Sequence, residues 1–119
     1  MTCTPHVQTL SAVVSVAAQL GPADLAWAAA NGFRSVINNR PDFEGGDDQP
    51  TNAVMSAAAQ AAGLSYAFLP VEPSFQSADE ITAFAQLIAT LPSPVLAFCR
   101  SGTRSAKLYW AAVRPNGIG

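Results

Sequence analysis

Cys99 to Ser105 reads Cys-Arg-Ser-Gly-Thr-Arg-Ser. A cysteine directly after the apolar run Val-Leu-Ala-Phe, then a glycine turn, then an arginine, is an order of residues with chemical meaning. The backbone N–H groups of a short loop that opens a helix point inward, and the helix dipole adds partial positive charge. Arg104 contributes a guanidinium that grips two oxygens at once. A thiol in such a field loses its proton readily, with values of about 3.5–7.5 at helix N-termini beside arginine. Cys99 and Arg104 are therefore the candidate catalytic pair. Arg100, Ser101, Gly102, Thr103 and Ser105 are the candidate anion-binding residues. An inert buried thiol, a common fate of free cysteine, does not call for this order.

Other chemistries are poorly supplied. The chain has 119 residues, half of them hydrophobic, and a formal charge of -2. That is enough for one core, and one domain is expected over residues 1–119 with a tail at 114–119. The slight acidity gives no reason to expect nucleic acid or a membrane as partner. The two cysteines, Cys3 and Cys99, form neither a disulfide framework nor a zinc spacing, and Cys3 is expected to have no role. His6 is the only histidine, which speaks against a Ser-His-Asp triad and a histidine metal site. No metal and no cofactor are expected. Gln8, Ser11, Ser15 and Gln19 interrupt the uncharged start, so it does not read as a signal peptide. No run approaches about 18 apolar residues. A reducing, cytoplasmic setting is the expectation.

The elements that must position the cysteine follow from periodicity. Strands are expected at residues 13–16, 35–38, 65–69 and 95–98. Helices are expected from Pro22 to about Asn31, from a cap at Thr51 to Ala62, from Ser77 or Asp79 to Leu91, and over residues 105–113. Ile81, Phe84, Ile88 and Leu91 recur at helical spacing. The alternation predicts an α/β fold, a single domain with a four-stranded parallel sheet flanked by helices. Ligands of such sheets bind beyond the carboxyl ends of the strands. Three loops leave those ends, at residues 39–50, 70–76 and 99–104. Arg40, Asp42 and Glu72 are thereby brought toward Cys99, Asp42 and Glu72 as general-acid candidates and Arg40 as loop support. Phe75 is a candidate pocket wall. Arg100 aims either at substrate or at carboxylates such as Asp42 and Glu44.

Three segments carry a family resemblance: "FRSVINNRPDFEGGDDQP", "AAQAAGLSYAFLPV" and "PVLAFCRSGTRSAKLYW". Over about residues 10–112 the chain resembles the beta-lactamase-hydrolase-like protein, phosphatase-like domain family. The resemblance implies a dual-specificity-phosphatase-like, cysteine-phosphatase-like fold. It implies activity as a phosphatase or as a sulfur transferase, often linked to sulfide metabolism. Such domains usually continue with a further helix, so the expectation is either a bare flank or a chain that is part of a longer protein.

The loop spacing chooses between the two activities. Four residues separate Cys99 from Arg104, where cysteine phosphatases of this fold use five, and Phe98 stands where they usually have histidine. The Cys-Arg-x-Gly-x-Arg pattern is similar to the loop of rhodanese-type sulfurtransferases. A shorter loop makes a tighter ring of donors, suited to one terminal sulfur. The expectation is a rhodanese-type sulfurtransferase that moves sulfane sulfur from thiosulfate or a persulfide to a thiol acceptor through a Cys99 persulfide. Its partners are then a small anionic sulfur donor and a thiol. The alternative is a cysteine-dependent phosphatase acting on a phosphorylated substrate through a Cys99 phosphocysteine, which the Arg104-Ser105 ending favours. A non-catalytic anion-binding module is the second alternative.

Overall fold

The computed structural model describes residues 5–113. The expected tail and Cys3 lie outside the described residues. The chain runs β1 (Val7–Thr9), β2 (Val14–Ala17), α1 (Pro22–Ala30), β3 (Ser35–Asn38), α2 (Asn52–Ala62), β4 (Ser65–Phe68), α3 (Ala78–Thr90), β5 (Val95–Phe98) and α4 (Thr103–Val113). The sheet order is β1-β2-β5-β3-β4. β2, β5, β3 and β4 pair in parallel, as the alternation predicts. β1 adds a fifth strand, antiparallel to β2, and makes the sheet mixed. Its Val-Gln-Thr carries no apolar run and shows mostly exposed residues. It pairs because the turn at Leu10 and Ser11 folds back, with both N–H groups donating to Val14 O. Ser11 Oγ accepts from the N–H groups of Val13 and Val14 and completes that turn.

The central strands are buried on both faces, so their residues divide by parity between two cores. Val36, Leu96 and Phe98 face α1 and α2, packing with Leu25, Ala28, Met55 and Ala59. Ile37, Val95 and Ala97 face α3 and α4, packing with Phe84 and Leu108. Fully burying a side chain such as Phe84 contributes about 1.5–3 kcal/mol. Alanines on α2 let that helix lie close to the sheet.

Helix ends follow local chemistry. Thr51 Oγ1 accepts from Val54 N–H to start α2, and Gly63 ends it at φ +80°. Ser77, rather than Asp79, caps α3. Its Oγ accepts from Glu80 N–H while Glu80 Oε1 accepts from Ser77 N–H at 2.8 Å. α4 begins at Thr103, two residues before the expected start. Arg104 and Ser105 therefore stand in its first turn, buried against the sheet. No helix among the described residues is long and apolar enough to cross a membrane.

Candidate active site

Cys99 is the first residue past β5 and is 1 % exposed. Its own N–H donates to Ala17 O, so β2 fixes where the loop departs. The loop then turns back at Gly102, whose φ is +93°. Only glycine takes that conformation without strain. A side chain there would also meet the Ala17 carbonyl carbon at 3.4 Å. The turn aims Gly102 N–H at Cys99 Sγ, 3.1 Å away. Gln19 N–H donates to Arg100 O and pins the loop's near side. Ser101 and Thr103 are exposed and bond each other at the outer side, Oγ to Oγ1 at 3.2 Å.

Arg104 is 5 % exposed and reaches from α4 to two loops, at residues 39–50 and 70–76. Its Nη1 donates to Val71 O at 3.0 Å, to Asn39 O at 3.5 Å and to Glu44 Oε1 at 3.0 Å. Nη2 donates to Glu44 Oε2 at 3.0 Å. Nε is buried and has no partner. Glu44 thus holds the end of the guanidinium, while the Nε side keeps the donor pair that suits two oxygens of an anion.

Glu44 is the carboxylate at the centre of the site. Besides Arg104 it accepts from Arg40 Nε at 2.8 Å. Burial alone pushes its carboxyl up, but hydrogen bonds and charge from Arg104 and Arg40 outweigh that and hold it below the ordinary value of 4.5. A carboxyl lowered in the folded state stabilises the fold above the unfolded value. That contribution is lost as pH falls through the folded one. Glu44→Gln is therefore expected to cost about 1–2 kcal/mol at neutral pH. The gap to the parent should close as pH drops below 4.5. Urea unfolding across acid pH measures it, and parallel stability curves for the two proteins would contradict the assignment.

The other expected residues divide. Arg40, 8 % exposed, supports the loop through Glu44, and its Nη1 donates to Gln19 Oε1 at 3.1 Å. Asp42 lies elsewhere: its Oδ1 accepts from Asn52 N–H at 2.7 Å and caps α2. Glu72 is exposed, and its carbonyl accepts from the Gln76 side chain. The neighbouring Pro73, not Glu72 or Phe75, lines the site cavity. Phe75 is 65 % exposed. Ser105 Oγ donates to Asn39 Oδ1 at 2.9 Å, inside the fold.

Asn39 is the residue the sequence reading missed. It is fully buried, donates through Nδ2 to Leu69 O, and accepts from Val71 N–H and Arg104. It joins the loops after β3 and β4 to the first turn of α4. The available signal was a pair of asparagines at the end of a buried strand, where an amide must find partners. Tyr66 is likewise structural. Burial pushes its phenol up, and its hydroxyl accepts from Asn38 Nδ2 and donates to Asn52 Oδ1.

These residues enclose a cavity of about 710 Å³ lined by Cys99, Arg104, Arg40, Glu44, Arg100 and Lys107 among others. Among the described residues there is no group of three or more His, Cys, Asp or Glu placed to hold a metal ion.

A mixed sheet with a parallel core, a cysteine loop opening α4, and an arginine in that helix's first turn define a cysteine-phosphatase-like α/β domain of the dual-specificity type. The chain belongs to the beta-lactamase hydrolase-like protein, phosphatase-like domain family, whose model matches residues 6–115. It is 44 % identical over 97 residues to the beta-lactamase hydrolase-like protein of Agrobacterium fabrum, covering 81 % of this chain and 22 % of that protein. It is 47 % identical over 81 residues to the protein of the same name from Xylella fastidiosa strain Temecula1, covering 68 % of this chain and 19 % of that one. The chain thus spans about a fifth of these relatives' length. Among solved structures it is similar to a candidate phosphatase of Neisseria meningitidis, with TM-score 0.79 and 33 % identity over 86 % of this chain and 72 % of that one. Kinase associated phosphatase shares the fold, with TM-score 0.78 at 13 % identity over 94 % and 74 % of the two chains.

The expectation of a rhodanese-type sulfurtransferase is overturned by these comparisons. The matching family is phosphatase-like, and the structure at 33 % identity is a candidate phosphatase. The persulfide chemistry and the sulfur donor and acceptor fall with it. The spacing argument fails because the loop is only the floor of the site. Above it lies a cavity with four cationic side chains, far larger than one terminal sulfur needs.

Proposed function

We propose that this domain hydrolyses phosphomonoesters through a phosphocysteine at Cys99. The observation that carries the reading is the convergence on one cavity of a loop N–H 3.1 Å from Cys99 Sγ and an arginine with an unspent Nε–H. The phosphoryl oxygens accept from the loop N–H groups and from the Nε side of Arg104. Cys99, as thiolate, attacks phosphorus. The S–P bond forms, the P–O ester bond breaks, and the leaving oxygen takes its proton from water. A water then attacks the phosphocysteine, releases phosphate and restores the thiolate. The one carboxylate lining the cavity, Glu44, is kept ionised by two arginines and is a poor proton donor. The proposal therefore favours aryl phosphates, whose phenolate leaves more readily than an alkoxide. The chemistry calls for no cofactor. It needs a compartment that keeps thiols reduced, which favours a cytoplasmic setting.

The test is trapping. An aryl phosphate is mixed with the protein, the reaction is quenched in acid, and the Cys99 peptide is weighed. A mass gain of one phosphoryl group on Cys99, together with release of the phenol, is the expected result. No adduct, and no turnover above that of a Cys99→Ala protein, would overturn the proposal.

A further inference from the structure

The chain has six Lys and Arg residues and an overall negative charge, yet four of the six line one cavity. Two of these four have structural duties. Arg40 is spent on Glu44 and Gln19, and Arg104 is tied to Glu44, Val71 and Asn39. Arg100 and Lys107 are different. Both are exposed, and among the described residues neither side chain makes an ion pair or a hydrogen bond. Lys107 lies three residues beyond Arg104 on α4, on the same face and about 5 Å farther along the axis. Arg100 directly follows the nucleophile. A single phosphoryl group needs only the loop and Arg104, and it fills a small part of about 710 Å³.

We infer that Lys107, with Arg100 beside it, is a second anion subsite, and that the substrate is a phosphomonoester bearing a second phosphate or carboxylate. This rests on the phosphatase reading for its first group but not for its second. The second group sits above the phosphoryl site, toward the open mouth, where an exposed ammonium and guanidinium meet it through water-screened contacts. Such contacts discriminate by a modest factor and leave the chemistry at Cys99 unchanged.

Three aryl substrates separate the possibilities: phenyl phosphate, carboxyphenyl phosphate and phenylene bisphosphate. Lys107→Ala is expected to lower kcat/KM for the two doubly anionic substrates by about fivefold and to leave phenyl phosphate within about twofold. Lys107→Glu should deepen the loss for the same two. Loss at the carboxylate alone or the bisphosphate alone identifies the natural second group. An equal loss for all three means general attraction of anions, and overturns the subsite. A binding arm needs no turnover: calorimetric titration of the Cys99→Ser protein with inorganic phosphate and pyrophosphate, each with and without Lys107→Ala. Weaker pyrophosphate binding with phosphate unchanged supports the subsite even where no ester is hydrolysed. Hydrolysis of phenyl phosphate with no selective effect of Lys107 in either arm overturns the subsite and leaves the phosphatase reading standing.

Discussion

Cys99→Ser is expected to lower aryl phosphate hydrolysis by about 10³-fold or more while leaving the fold intact. The serine hydroxyl is close in size to the thiol, and Gly102 N–H still finds an acceptor where Sγ stood. Packing around a residue 1 % exposed changes little. What changes is nucleophilicity, because a hydroxyl is a far weaker acid than a thiol and, among the described residues, no side chain is hydrogen-bonded at this position to take its proton. Initial rates with phenyl phosphate, paired with thermal unfolding, read both parts. A serine protein that unfolds at the parent's temperature yet turns over at more than a tenth of its rate would remove Cys99 from the chemistry.

Arg104→Ala is expected to affect stability and activity together. Removing the guanidinium leaves Val71 O without its donor and takes donors from Asn39 O and the Glu44 carboxylate, which keep only Val71 N–H and Arg40 Nε. Breaking a buried pair in this way costs about 3–5 kcal/mol, discounted toward the lower end because Glu44 is partly solvated. Turnover falls by about 10²–10³-fold through loss of the donors that face the transferring phosphoryl group. Arg104→Lys separates the two effects. An ammonium can recover part of the attraction to Glu44 but cannot hold Glu44 and two phosphoryl oxygens in one plane. The lysine protein is therefore expected to unfold closer to the parent than the alanine protein while remaining nearly as inactive. Near-parental kcat/KM in the lysine protein would show that the planar fork is not what grips the substrate.

The four parallel strands and the cysteine loop were legible because their signals are local. Short apolar runs bounded by glycine, proline and polar residues mark the strands, and the Cys-to-Arg order marks the turn into α4. β1 was not legible because three residues of mixed polarity become a strand only when a turn lays them against β2. The loop at residues 39–50 was read to the right edge of the sheet but with the wrong acid. Asp42 was the expected acid of this loop, but it caps α2, and Glu44 is the carboxylate found beside Arg40. That choice depends on Arg104, sixty residues away, and on the path of a loop in which Phe43, the residue before Glu44, takes φ +65°. A non-glycine residue in that region is uncommon, and nothing in a sequence window announces it. Asn39 escaped for the same reason, since its partners come from the β4 loop and α4.

The guanidinium of Arg104 gives the molecule an uneven freedom to vary. Its Nη groups fasten two loops, at residues 39–50 and 70–76, to α4, so drift at Arg104, Asn39 or Glu44 is penalised in folding before any effect on substrate choice is felt. Lys107 and Arg100 stand a few residues away on the same segment and fasten nothing among the described residues. Exchanges there are close to neutral for folding. On the proposed reading, the mouth of the cavity can therefore be re-aimed toward new esters, by selection or by design, with the phosphoryl seat left untouched.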